Sequence, residues 1–356
     1  MIDRSDLIAH GPIRMLVVDD SVVFRKLLRL AFENDKELEL VGFAPNGMAA
    51  LKLVPEVRPQ VVTLDIEMPG MDGLETLDRL KADHPDIKVV MFSSLTAHGA
   101  RKTLEALSRG ADDYVPKPVG AGSLGESMIS LQQELGPKVK QLFQRQQPDL
   151  SAPVTEPSSK RTSNVDIVAI GVYTGGPNAL AEIVPRLPPD FPCPVVITQH
   201  MPEVFTRLLA ERLDGESKLS VEEAQEGSVV APGKVLIAPG GRHLCFRRKG
   251  TLIVVSLDDS PDENSCKPAV DVMFRSVRDI WGGRTLAVML TGMGQDGLLG
   301  VEALKKVGAS VLAQDRETSV VWGMPGQVVA AGLADQVVPL YRIANAVQCI
   351  CRGPKR

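Results

Sequence analysis

IRMLVVDDS, residues 13–21, sets the reading of the first half of the chain. An apolar run, interrupted only by Arg14, ends directly in two aspartates and a serine. The same alternation then repeats. Residues 38–44, 61–64, 88–92 and 113–115 are further short apolar runs, and 22–34, 47–57, 74–83, 99–109 and 124–143 are the amphipathic or polar stretches between and after them. In the first of these stretches Val23, Leu27, Leu30 and Ala31 have helical spacing. Continuous apolar strands separated by helices predict a parallel sheet covered on both faces. The expected product is an α/β, five-stranded doubly wound domain with its site at the carboxyl ends of the strands.

Residues 148–164 break this pattern with Pro148, Pro153, Pro157 and several serines and threonines, as an exposed linker does. Strand–helix alternation then resumes. Strands are predicted at 167–171, 195–199, 235–238, 252–256, 285–290 and 310–313, and helices at 179–186, 204–213, 270–281 and 298–307. Residues 243–248 and 252–256 flank Lys249-Gly250-Thr251 as a hairpin. The domain limits drawn from this are 12–135, a linker over 136–164, and a second, mainly parallel α/β domain over 165–353.

Composition narrows the classes of function. The chain has 356 residues, 24% charged and 44% hydrophobic, which suits about two soluble domains. A net charge of −4 gives no bulk electrostatic support for nucleic-acid binding. No apolar run reaches the length of a membrane span, and residues 1–12 lack the apolar core of a signal peptide. Cys193, Cys245, Cys266, Cys349 and Cys351 have no CxxC spacing and no zinc-site pattern. They read as reduced, mostly buried thiols of a cytoplasmic protein.

Three carboxylates converge in the first domain. Asp19 and Asp20 follow the first strand and Asp65 follows the third, so a doubly wound sheet brings them to one pocket. Such a cluster is costly without a divalent cation, and oxygen-only ligands favour Mg2+ or Mn2+. Ser93 after the fourth strand and Lys117 after the fifth suit a phosphoryl group. Alone, the Asp pair reads equally well as a helix cap; Asp65, Ser93 and Lys117 together weigh against that. Asp72 reads as a turn or cap residue.

LVVDDS, LDIEMPGMDG, MFSS and YVPKP, in that order, resemble the receiver domains of response regulators, over about residues 13–135. The resemblance implies a flavodoxin-like fold and transfer of a phosphoryl group from a histidine kinase to Asp65. It further implies that Asp20, Asp65 and the Glu67 carbonyl hold Mg2+, with Asp19 acting through water. Ser93 and Lys117 would contact the phosphoryl oxygens, Tyr114 would be the aromatic switch residue, and the Lys117–Pro118 bond would be cis.

The second domain carries three loops of interest. VDIVAIGVYTGGPNAL, residues 165–180, runs from a strand through a Gly-rich turn into a helix. That turn places Thr174, Gly175 and Gly176 at a helix N-terminus, where free N–H groups can bind an anion, or where the glycines serve close packing alone. His200 in ITQHMP is a candidate base or a structural histidine. Asp296 in LTGMGQDG either orients His200 or caps the helix that follows it.

These loops, with IAPGGRH, PAVDVMFRSV and AQDRETSVVWGMP, resemble the chemotaxis protein-glutamate methylesterase (CheB) family over about residues 165–340. The family hydrolyses γ-glutamyl methyl esters on chemoreceptors and deamidates receptor glutamines, through a Ser–His–Asp triad. The resemblance assigns the base to His200, its orienting carboxylate to Asp296 and an oxyanion-hole N–H to Met293. The serine position is occupied by Tyr173. A tyrosine oxygen lies roughly 6–7 Å from its Cα, against about 2.4 Å for serine, so a phenol overshoots a serine-shaped site. The expectation is an impaired or inactive hydrolase kept as a phosphorylation-controlled module that binds a chemoreceptor or other partner. The alternative is hydrolysis through Thr174 or through water activated by His200. A DNA-binding output is set aside, because no helix-turn-helix pattern is present.

Overall fold

The computed structural model describes residues 11–118, 124–143 and 165–352, which fall in two compact units divided after Gln147. The stretch read as a linker over 148–164, and residue 353, lie outside the described residues. Residues 136–143, assigned to the linker from sequence, instead continue the last helix of the first unit.

The first unit runs β1 (Ile13–Val18), α1 (Val22–Phe32), β2 (Leu38–Ala44), α2 (Gly47–Val57), β3 (Val61–Asp65), α3 (Gly73–Asp83), β4 (Lys88–Ser93), α4 (Ala97–Ser108), β5 (Asp113–Pro116) and α5 (Leu124–Phe143). Its sheet is parallel, in the order β2-β1-β3-β4-β5. Helix starts are fixed by side chains that accept orphan N–H groups: Ser21, Asn46, Asp72 and Thr96 cap α1 to α4 in turn. The inner face of α1 is Leu27, Leu28, Ala31 and Phe32, with Phe24 beside it. Val23, expected on that face, is 72% exposed; the 3.6-residue turn puts Phe24 there instead.

The second unit runs β6 (Ile167–Val172), α6 (Gly176–Ile183), β7 (Val195–Gln199), α7 (Glu203–Glu216), β8 (Ser220–Glu223), β9 (Lys234–Ile237), β10 (His243–Lys249), β11 (Leu252–Asp258), α8 (Val270–Trp281), β12 (Thr285–Met289), α9 (Leu298–Lys306), β13 (Ser310–Gln314), α10 (Met324–Ala330), β14 (Gln336–Val338) and α11 (Leu340–Arg352). Seven parallel strands form a sheet in the order β14-β13-β12-β6-β7-β9-β8. β10 and β11 form the hairpin, tighter than read from sequence: Lys249 pairs with Leu252, which leaves Gly250-Thr251 as the loop, with Gly250 at φ 62°. α8 places Val270, Met273, Phe274, Val277 and Trp281 in the core at helical spacing.

The chain enters this sheet at β6, builds to one side through β7, and later returns on the other side of β6 as β12. The loops that leave β6 and β12 therefore part at a topological switch point, where doubly wound sheets bind ligands.

Candidate functional site

In the first unit the strand ends bring the expected acids together. Asp19 and Asp65 are buried, Asp20 is exposed, and one oxygen of each lies within 4.8 Å of the others. Lys117 Nζ sits 2.8 Å from Asp19 Oδ2 and 2.8 Å from Asp65 Oδ2. Burial pushes the Asp65 carboxyl up to about 6, against the Lys117 hydrogen bond and charge, with the Asp19 charge adding to the rise. Burial works against the Lys117 ammonium, but its bonds to Asp19 and Asp65 outweigh that and raise its pKa. A desolvated, partly protonated carboxylate flanked by two more is what a hard divalent cation relieves, so the residues fit Mg2+.

The other expected residues of this pocket are placed as follows. Glu67 is exposed and its N–H donates to Asp65 Oδ1 at 3.5 Å. Ser93 is buried, donates to the Ser94 carbonyl at 3.1 Å and accepts from Thr103. Tyr114 is buried; Lys138 donates to its carbonyl at 2.8 Å and lies 5.1 Å from its ring centroid. The Lys117–Pro118 bond is not cis; among the described residues the cis bond is Lys267–Pro268.

In the second unit the loop after β6 is set by close packing. A Cβ on Gly176 would lie 1.8 Å from Gln199 Oε1, and Gly175 turns at φ 78° against Val320. The Gly176 N–H donates to the Tyr173 carbonyl at 2.8 Å, so it is not one of the free donors expected at this helix start. Gln199 Nε2 also donates to that carbonyl, at 3.0 Å. Thr174 Oγ1 is buried without a hydrogen-bond partner among the described residues, and the Thr174 carbonyl accepts from Thr291. The Tyr173 ring packs edge-on to the His200 ring, with centroids 4.8 Å apart. Met293 is half-buried, and its N–H is not taken by an acceptor among the described residues.

His200 follows β7 and is buried. Its Nε2 lies 2.7 Å from Asp296 Oδ2, and its Nδ1 lies 3.5 Å from Cys266 Sγ. Burial disfavours its charged form, yet the hydrogen bonds and charges of Asp296 and Cys266 bring it up to about 9. Burial pushes the Asp296 carboxyl up, but His200 and backbone N–H groups outweigh it and lower its pKa.

Asp296 orients His200 and also caps a helix, though not α9, which starts behind Gly297 without a side-chain cap. Oδ2 accepts from the Val270 N–H at 2.6 Å and Oδ1 from the Asp271 N–H at 3.1 Å, at the start of α8. Asn264 donates to Asp296 Oδ1 at 2.9 Å and to Asp271 Oδ2 at 3.0 Å.

Cys266, Asn264 and His243 were not singled out from sequence. The sequence marks Cys266 only as one of five mostly buried thiols, and that expectation fails: Cys193 alone of the five is buried, Cys349 is exposed and the others are intermediate. His243 is buried and clamps the loop that carries Cys266, donating from Nε2 to the Pro261 carbonyl at 3.1 Å and accepting at Nδ1 from the Ala269 N–H at 3.1 Å.

Residues 168–347 match the CheB methylesterase family, and residues 15–128 match the response regulator receiver domain. A protein-glutamate methylesterase/protein-glutamine glutaminase of Trichodesmium erythraeum is 44% identical over 344 residues, spanning 94% of this chain and 97% of that one. A protein of the same description from Thermotoga maritima is 42% identical over 340 residues, spanning 93% and 96%. The crystal structure of the Thermotoga maritima CheB methylesterase catalytic domain covers 52% of this chain and 98% of its own, at 45% identity and a TM-score of 0.51.

Proposed function

The chain belongs to the CheB methylesterase family of response regulators, and on that premise we propose that it is a phosphorylation-controlled receptor-engaging protein in which the serine route of that family is closed. The observation that carries the second half is at position 173. A phenol ring occupies the serine position beside His200, and the two nitrogens of His200 go to Asp296 and Cys266. The base is therefore directed away from the position that should hold its nucleophile. Thr174 gives no substitute hydroxyl, because the hydrogen bonds of His200 do not include it.

In the receiver, Asp65 is the phosphoryl acceptor, and Asp20, Asp65 and the Glu67 carbonyl would hold Mg2+, with Asp19 acting through water. The cation would neutralise charge on the incoming phosphoryl group. Lys117, already paired to both buried aspartates, is positioned to follow the new charge on Asp65, and Ser93 supplies a hydroxyl. Tyr114 is the aromatic side chain whose packing that change would bias. The phosphodonor is a histidine kinase of a chemotaxis-type system. The partner of the second domain is the cytoplasmic part of a chemoreceptor, with its γ-glutamyl esters at the β6–β12 crevice and Met293 N–H facing the carbonyl oxygen. These assignments rest on family membership together with the acid cluster and the free Met293 donor.

The test is co-sedimentation of the full chain with vesicles carrying methylated chemoreceptor, with and without acetyl phosphate and Mg2+. Binding should rise with acetyl phosphate in wild type and stay at its basal level in Asp65→Asn. In the same samples Tyr173→Ser should raise methanol release above the wild-type level, by opening a serine route that wild type lacks. Binding indifferent to acetyl phosphate, or wild-type release equal to that of Tyr173→Ser, would overturn the reading.

A further inference from the structure

The hydrogen bonds of His200 define a direction. A carboxylate only accepts, so Nε2 carries a hydrogen toward Asp296, and in the neutral imidazole Nδ1 presents its lone pair toward the thiol of Cys266. Thiol, imidazole and carboxylate in that order are the connectivity of a cysteine-hydrolase triad. We propose that Cys266 is an acyl-accepting nucleophile activated by His200, acting on carboxylic esters of the γ-glutamyl type in place of the serine absent at position 173. The substrate class rests on the reading that receptor esters reach this crevice; the activation of the thiol does not.

The loop around Cys266 is built to hold it. Glu263 and Cys266 exchange backbone hydrogen bonds of 3.1 and 2.9 Å, closing a two-residue turn. Its central residues, Asn264 and Ser265, have φ 53° and 59°, left-handed values that cost non-glycine residues about 1 kcal/mol or more each. Several contacts offset that cost. Asn264 donates to Asp296 and Asp271, Glu263 makes a two-armed ion pair with Arg275 on α8, and His243 ties Pro261 to Ala269 across the loop. A thiol used only for packing would not need this scaffold. Cys193 shows the contrast, wholly buried with its hydrogen directed to the Val165 carbonyl. Cys266 is half-buried, and its sulfur faces a base strong enough to accept a proton.

The chemical steps balance without an added oxidant or reductant. The thiol proton moves to His200 Nδ1, and the resulting imidazolium is held by Asp296. Sulfur attacks the γ-carbonyl carbon and forms a C–S bond. The C–O bond to the alkoxy group breaks, and that oxygen leaves with the proton from Nδ1 as methanol. Water then gives a proton to Nδ1 and attacks the thioester, the C–S bond breaks, sulfur recovers the proton from Nδ1, and the product departs as a carboxylic acid that gives its remaining proton to solvent.

The test uses the full chain and two probes that need no receptor. Iodoacetamide at neutral pH should alkylate Cys266 faster than Cys349, the exposed thiol of the same molecule, although Cys266 is less accessible. p-Nitrophenyl acetate should leave one acetyl group on the peptide containing Cys266, removable by hydroxylamine. Cys266→Ala should lose the nitrophenolate burst, and His200→Gln should slow it by about a hundredfold, the scale of a general base. The Cys266/Cys349 rate ratio is read within wild-type protein, so it stands whether or not a variant folds. Three results would overturn the proposal: Cys266 reacting no faster than Cys349, the acetyl group appearing on another side chain, or Cys266 reacting only after a chelator strips a bound metal. An acetylated Cys266 with no methanol from methylated receptor would sustain the nucleophile and overturn the γ-glutamyl ester as its substrate, while the receptor reading itself stands or falls on the co-sedimentation.

Discussion

Replacing His200 by glutamine should uncover a stability difference that depends on pH. A histidine held at about 9 in the folded domain, against an ordinary 6.5, corresponds to roughly 3 kcal/mol of folded-state preference for the imidazolium. Because the folded value is raised, this stabilisation is fully present below about pH 6.5 and fades as the pH rises through about 9. Glutamine keeps a neutral donor near Asp296 but no charge. The variant should therefore be about 3 kcal/mol less stable than wild type near pH 6, with most of that gap gone near pH 10. Urea unfolding followed by tryptophan fluorescence isolates the relevant unit, since the two tryptophans, Trp281 and Trp322, both lie in it. Titrations common to both proteins cancel in the difference. A gap of constant size across this range would mean that His200 contributes packing rather than charge, and would refute the electrostatic account of the pair.

Other substitutions probe separate links. Lys138→Ala leaves the Asp113 carboxylate buried without the cation 3.2 Å away, and should cost the receiver about 3–5 kcal/mol in urea unfolding read by circular dichroism; a loss under about 1 kcal/mol would show that the pair is solvated. Gly176→Ala puts a methyl 1.8 Å from Gln199 Oε1 and 2.7 Å from Val172 Cγ2, and should destabilise the second unit by about 1–3 kcal/mol; an unshifted fluorescence midpoint would refute the packing argument. Asn264→Gly keeps the left-handed turn but removes the bonds to Asp271 and Asp296. It should cost about 1–3 kcal/mol and slow alkylation of Cys266, whereas unchanged alkylation would separate the turn from the thiol.

The receiver was legible because its chemistry sits at strand ends. Asp19, Asp65 and Lys117 each follow an apolar run, so knowing that the strands are parallel is enough to bring them together. Helix limits were less legible, since caps decide them: α4 begins at Ala97, behind Thr96, rather than at Gly99. The short strands Ser220–Glu223 and Gln336–Val338 and the helices Met324–Ala330 and Leu340–Arg352 were not read at all; SVEE and QVV are too short to show a period. In the second unit His200 and Asp296 were visible at the ends of β7 and β12. Cys266 was not, because it meets His200 across 66 residues of chain through a turn with no periodic signal. Nor could local sequence tell that Asp296 caps α8, which precedes it in the chain, rather than α9, which follows.

The double duty of Asp296 bears on how such a protein evolves. Its carboxylate closes the first turn of α8 and anchors the Asn264 turn, so folding alone selects for it. A lineage that lost its serine would not be free to drift at this position. The imidazole would stay oriented as well, held by a residue that the fold cannot release. Were the chemistry of this crevice lost, the base would still stay primed, because the side chain that aims it is one the fold needs.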